Sequence, residues 1–239
     1  MNDFDWIFFD CFNTLIDDFD QAGDESGLGP MEHLPVEAGI YPEAAAFRQD
    51  YFQWRRQQWA NQWREVALPD RLGEILRSRS PKLPGQYIDD VVARMLETFE
   101  VDYPKTLRLP QGVSEMLDYW QGKVNMGVVS NFPLADWPEQ LLEQFGLRRH
   151  FDFVLDSALC GWKKPGPEIY QAACQLAGIP DSGLGKILFI GDHIRNDVLM
   201  PMELGMQAIY LDRSDDRPNS AKAPEHISTI NHWSQFRRQ

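Results

Sequence analysis

The chain has 239 residues, 43% hydrophobic and 25% charged, which suits one globular unit or a core with a smaller insert and excludes a disordered chain. Its formal net charge of −13 argues against nucleic acid as a main partner, because phosphate backbones are held by clustered cations. The acidic start lacks signal-peptide character, no stretch nears the roughly 20 apolar residues that cross a bilayer, and Cys11, Cys160 and Cys174 read as reduced thiols, so a cytoplasmic protein without a membrane partner is expected.

The first element is an apolar run, Trp6-Ile7-Phe8-Phe9, broken by Asp10 and followed by Cys11-Phe12-Asn13-Thr14. This pattern predicts a buried parallel strand that delivers Asp10 to its carboxyl end, where open α/β sheets bind their ligands. Residues 17–39 are acidic and glycine-containing, as expected of a solvated connecting loop or a flap over that strand end. From residue 42 to about 99 the pattern is helical. Phe47, Tyr51, Trp54, Trp59 and Trp63 recur at mostly helical intervals and predict one broad aromatic face. That face serves either as the core of a small helical subdomain or as a pocket wall, with Arg55 or Arg56 offering a fork to an anion. Further helices are expected over 70–77 and 88–99, separated by Pro81 and Pro84-Gly85.

From Leu109 onward helices and strands alternate. Helices are expected near 113–120, 138–145, 167–177 and 196–204, the last made irregular by Pro201. Strands are expected over 124–129, 151–155, 187–190 and 207–211, with a short strand and a last helix in the tail. The alternation implies an α/β fold: a Rossmann-like parallel sheet core flanked by helices, with an inserted all-helical unit. The corresponding boundaries are 1–16 and 106–239 for the core, and 17–105 for the linker and helical insert.

The strand tips carry the chemistry. Asp10 and Thr14 follow the first strand, Ser130 and Asn131 the second, Lys164 the third, and Asp192 and Asp197 the fourth. Parallel strands place these tips along one sheet edge. Carboxylates, a hydroxyl and a lysine suit a hard divalent cation and a phosphoryl group: Mg²⁺ takes carboxylate oxygens and leaves positions to water and phosphate. Ser130 and Lys164 can hydrogen-bond phosphate oxygens, and Asp10 is a metal ligand or a nucleophile as well.

In order and placement these motifs resemble the haloacid dehalogenase-like superfamily with a cap inserted after the first motif. The motif usually written D-x-D-x-T reads Asp10-Cys11-Phe12-Asn13-Thr14; the second matches Val128-Val129-Ser130-Asn131; the third, Gly161-Trp162-Lys163-Lys164-Pro165; and the fourth, Gly191-Asp192 through Asp197. The resemblance implies that Asp10 attacks the substrate, that Ser130 and Lys164 hold phosphoryl oxygens, and that Asp10, Asp192 and the Phe12 backbone carbonyl bind Mg²⁺, with Asp197 supporting the metal directly or through water.

Phe12 departs from the family pattern. In family phosphatases the acid at that position protonates the leaving group and then activates water. Three functions follow. One is a Mg²⁺-dependent phosphohydrolase or phosphotransferase acting on a small anionic, phosphorylated substrate, with the missing acid supplied by His193 or the Asp17–Asp20 loop, or not needed. The second is a metal-independent 2-haloacid dehalogenase, whose branch carries an aromatic residue there and for which Phe12 and Asn131 line the substrate. The third is a ligand-binding protein that has lost hydrolysis.

Overall fold

The computed structural model describes residues 4–18, 26–61, 63–215 and 223–237. Six parallel strands form one sheet in the order β3-β2-β1-β4-β5-β6: β1 (Trp6–Phe9), β2 (Asn125–Ser130), β3 (Phe153–Asp156), β4 (Ile187–Gly191), β5 (Gln207–Leu211) and β6 (Thr229–Ile230). The first strand lies between β2 and β4, with Phe9 opposite both Val128 and Ile190. This register brings Asp10, Ser130 and Asp192 to neighbouring strand ends.

Two-residue alternation explains why a strand with no polar face is stable here. Ile7 and Phe9 pack on one side of the sheet with Val128, Ile190 and the helix Val113–Trp120. Phe8 points to the other side with Val129, Phe189 and the helix Pro167–Leu176. Ile7, Phe8 and Phe9 are fully buried, Trp6 partly so, and burial of each of the three contributes about 1.5–3 kcal/mol. A strand covered on both faces needs apolar residues at consecutive positions.

Between β1 and β2 the main helices are Ala44–Asn61, Leu68–Arg79 and Gly85–Thr106. They begin and end within a few residues of the expected limits, except that the last continues to Thr106, with Pro104 in its final turn. A short helix, Leu34–Glu37, and a tight turn, Ser26–Leu28, lie in the stretch expected to be a solvated connecting loop or a flap. The aromatic face expected over residues 47–63 is shorter than the spacing suggests. Phe47 and Tyr51 are buried and Trp54 is half-buried, but Trp63 lies beyond the helix and is exposed; the Trp59 side chain lies outside the described residues. The buried faces of these helices are continuous with the apolar layer on one side of the sheet.

The two connections of this helical stretch meet at Asp17 and Arg108, whose backbones pair in both directions at 2.9 and 3.3 Å. The Asp17 carboxylate also faces Arg108 Nε at 3.2 Å and buried Arg213 at 2.7 Å. Among the described residues no helix is long and apolar enough to cross a membrane, and the three cysteines are unlinked.

Candidate active site

The turn after β1 is built from the backbone outward. Cys11 O accepts the N–H groups of Leu15 and Ile16, and Asn13 sits in the left-handed region at φ 61°, which asparagine tolerates better than bulkier residues. The turn brings Thr14 back to the strand end, where its Oγ1 donates to Asp10 Oδ2 at 3.2 Å.

Lys164 occupies the centre. Its Nζ donates to Asp10 Oδ1 and to Asp197 Oδ1, both at 2.7 Å, with only 2% of the side chain exposed. The Asn131 side chain holds the lysine's backbone from both ends: Lys164 N–H donates to its Oδ1 at 2.7 Å, and its Nδ2 donates to Lys164 O at 2.8 Å. The side chain expected to touch substrate lines the cavity over the site and also positions Lys164.

The fourth motif adds two acids. A wide π-type turn, Ile194–Leu199, carries Asp197 inward, where its Oδ2 accepts the His193 N–H at 2.9 Å. A β-carbon at Gly191 would come within 2.4 Å of the Asp197 carboxyl carbon, so the close approach requires glycine there. Carboxylate oxygens of Asp10, Asp192 and Asp197 all lie within 4.8 Å of one another. At an effective dielectric of about 20, each such pair repels by about 3.5 kcal/mol. One lysine against three carboxylates leaves the cluster net negative.

The acidities follow from this crowding. Burial pushes the Asp10 carboxyl up to about 6; Lys164 pulls against the rise and Asp197 adds to it. Burial alone would lower the pKa of Lys164, but Asp10 and Asp197 more than reverse it and hold the ammonium above its ordinary range. Ser130 is fully buried, and its Oγ has no hydrogen-bond partner among the described residues. A polar atom buried without a partner is costly unless a ligand satisfies it. This orphan hydroxyl and the excess of carboxylates fit a phosphoryl group and a divalent cation, respectively.

A cavity of about 210 Å³ opens above the carboxylates and Lys164, and Ser130 lies beneath its lining rather than in it. Asp10, Asn131, Lys164, Asp192 and Asp197 line it from the sheet side, and Phe12, Tyr51, Arg55, Phe99 and Tyr103 are among its other walls. Arg55 is therefore at the cavity, while Arg56 is exposed and outside its lining. Phe12 stacks on Phe132 with ring centroids 4.6 Å apart.

Sequence reasoning missed a strap that ties the helical stretch to the lysine loop. Lys163 N–H donates to Trp63 O at 2.7 Å, Glu65 N–H to Gly161 O at 3.1 Å, and the Arg64 guanidinium lies 4.3 Å over the Trp162 ring. Glu65 then joins both sides, accepting from Ser157 Oγ at 2.6 Å and from buried Arg71 at 3.0 Å. No local pattern announces these pairs, since Ser157 and Glu65 are 92 residues apart.

The haloacid dehalogenase-like hydrolase family model matches residues 4–205. A Bos taurus haloacid dehalogenase-like hydrolase domain-containing protein 3 is 35% identical over 50% of this chain and 47% of its own, so the match spans about half of that relative. The Escherichia coli pyrimidine 5'-nucleotidase YjjG is 27% identical over 97% of both chains, and a Pseudomonas fluorescens phosphoglycolate phosphatase is 28% identical over 63% of this chain and 56% of its own. Among solved structures, a 2-haloacid dehalogenase from Pseudomonas syringae superposes with a TM-score of 0.71 at 18% identity, covering 98% of this chain and 96% of that one, a likeness of fold.

Proposed function

Because the chain belongs to the haloacid dehalogenase-like hydrolase family, we propose that it is a Mg²⁺-dependent phosphohydrolase or phosphotransferase acting on a small phosphorylated metabolite through a phosphorylated Asp10. The observation that carries this reading is the gathering of Asp10, Asp192 and Asp197 within 4.8 Å. Relatives named as a nucleotidase and a phosphoglycolate phosphatase support a phosphoester substrate.

In this reading Asp10, Asp192 and the Phe12 carbonyl would hold the metal, with Asp197 supporting it directly or through water. The bound cation would neutralise carboxylate and phosphoryl charge and polarise the phosphoryl oxygens. The protein's own groups do the rest. Asp10 Oδ attacks phosphorus, and Thr14, hydrogen-bonded to its other oxygen, holds the carboxylate's orientation. Ser130 Oγ donates to a phosphoryl oxygen, and Lys164 offsets the charge that builds there. Asn131 keeps Lys164 in place through its backbone. Residues 17–105 serve as linker and cap, contributing Tyr51, Arg55, Phe99 and Tyr103 to the pocket that selects the substrate.

One observation favours a 2-haloacid dehalogenase: the aromatic Phe12 beside the nucleophile, since expelling halide from carbon needs no proton. A third carboxylate, Asp192, argues the other way, because a reaction without a cation gains nothing from concentrating negative charge. Phosphate release from a panel of phosphomonoesters, with Mg²⁺ and again with EDTA, tests the proposal. Mg²⁺-dependent phosphate release that Asp10→Asn abolishes is the expected result. Halide release from a 2-haloacid in EDTA, with no phosphate release under either condition, would refute it.

A further inference from the structure

Phe12 cannot transfer a proton, so the reaction proposed above lacks the acid that family phosphatases carry two residues after the nucleophile. Asp18 stands at the same cavity. It lines the cavity with Asp10, Phe12 and Lys164, whereas Asp17 faces the separate cleft of Arg108 and Arg213. Two contacts fix its place. Asp18 N–H donates to Asn13 Oδ1 at 3.1 Å, which ties the residue to the turn carrying Phe12. Tyr103 OH donates to Asp18 Oδ2 at 2.8 Å, reaching across 85 residues of sequence from the end of the helix Gly85–Thr106. The Tyr103 ring itself lies 6.3 Å from that of Phe12 and 5.8 Å from that of Phe132, so the aromatic cluster beside the nucleophile positions this phenol. His193, the other candidate at the cavity, uses Nδ1 to accept the Asn196 N–H that starts the turn holding Asp197.

We propose that Asp18 is the general acid and base of this site, with Tyr103 as its positioning residue; the inference rests on the phosphohydrolase reading. In the first half, Asp10 Oδ forms a bond to phosphorus, the bond from phosphorus to the leaving oxygen breaks, and that oxygen takes the proton of the Asp18 carboxyl. In the second half, water attacks the acyl phosphate and gives its proton to the Asp18 carboxylate. The bond from phosphorus to Asp10 then breaks, releasing phosphate and restoring both acids to their starting forms. No further reactant is needed. Asp10 and Asp18 line the same cavity, so an ester bound there on Asp10 would have Asp18 in the surrounding wall.

The test compares wild type, Asp18→Asn and Tyr103→Phe, each with Mg²⁺, on p-nitrophenyl phosphate and on an alkyl phosphate. Nitrophenolate leaves without a proton, so Asp18→Asn should release one equivalent of it rapidly and then turn over about 10²–10⁴-fold more slowly than wild type. On the alkyl ester it should give neither burst nor turnover. Tyr103→Phe should show the same dependence on the leaving group with a loss of about tenfold. Introducing Phe12→Asp into the Asp18→Asn protein should restore alkyl ester turnover. Unchanged turnover of both esters by Asp18→Asn, or an equal loss on both without a burst, overturns the assignment. A wild type inactive on every ester overturns the phosphohydrolase reading itself.

Discussion

Replacing Lys164 with methionine keeps most of the length of the side chain and removes the ammonium that Asp10 and Asp197 share. The wild-type ammonium makes two 2.7 Å charge-assisted bonds and is almost wholly buried. At an effective dielectric of about 20 each contact is worth about 6 kcal/mol of gross attraction, but the lysine's own desolvation offsets much of it. Removing one partner from a buried ion network typically costs about 3–5 kcal/mol, which is the expected loss here. For a chain of this size that corresponds to a melting temperature lower by roughly 6–20 °C. The deficit should depend on pH. In wild type, burial raises Asp10 from 3.8 to about 6, so between those values the folded protein holds a proton that the unfolded chain has released. Such a group costs stability as pH rises through that window, and the cost is relieved below it. Without Lys164, whose charge pulls the Asp10 carboxyl down, that carboxyl is raised further. The variant should therefore be weakest relative to wild type near pH 7.5 and recover part of the deficit at pH 5. Urea unfolding of both proteins in EDTA at the two pH values measures this. Equal stability at pH 7.5, or a deficit that grows at pH 5, would refute the placement of Lys164 between the two carboxylates.

Mg²⁺ should raise the melting temperature of the wild type, by an amount equivalent to about 2.7 kcal/mol at a hundredfold excess over its dissociation constant; Asp192→Asn should lose most of that shift in differential scanning fluorimetry. Glu65→Gln should cost about 3–5 kcal/mol, because it leaves Arg71 buried without its carboxylate, and adding Arg71→Met should recover much of the loss in the same unfolding assay. His150 is held below its ordinary value of about 6.5, first by burial and then by Arg149, with Asp118 opposing. The unfolded chain therefore binds that proton more readily, so stability falls as pH drops through 6.5, and His150→Leu should flatten that slope in denaturant titrations between pH 7.5 and 5.

The parts legible in the sequence are those with a local signature. Each central strand is an apolar run ending in a polar residue, because burial on both faces demands the run and the open sheet edge permits the polar end. Asp10, Ser130 and Asp192 could therefore be placed at one edge from the strand pattern, whereas Lys164, which lies beyond the end of β3, is distinguished from Lys163 only by the family motif. The π-type turn of Asp197 was visible only as irregularity near Pro201, since its inward path depends on the missing side chain at Gly191. The aromatic spacing over residues 47–63 misled at its end, because periodicity does not mark where a helix stops and Trp63 belongs to the strap. Contacts between distant residues left no trace: Glu65 with Ser157, and Tyr103 with Asp18, have no pattern that a single sequence displays.

Phe12 is better understood as part of an exchange than as a loss. An aspartate there would face Phe132, Tyr103 and Phe99, rings that stack on one another within about 6.4 Å and offer a carboxylate poor solvation. A phenylalanine instead completes that stack, and aromatic pairs of this kind contribute about 0.5–1.5 kcal/mol each beyond burial. The same stack holds Tyr103 with its hydroxyl on Asp18. Phe12→Asp in the wild-type background should then lower stability by about 1–3 kcal/mol, through lost stacking and a poorly solvated charge, while supplying a second acid beside the nucleophile. If Asp18 already serves the reaction, the added acid should raise alkyl ester turnover by less than about tenfold. A rise of 10²-fold or more would mean that no acid was working there before, and would count against Asp18.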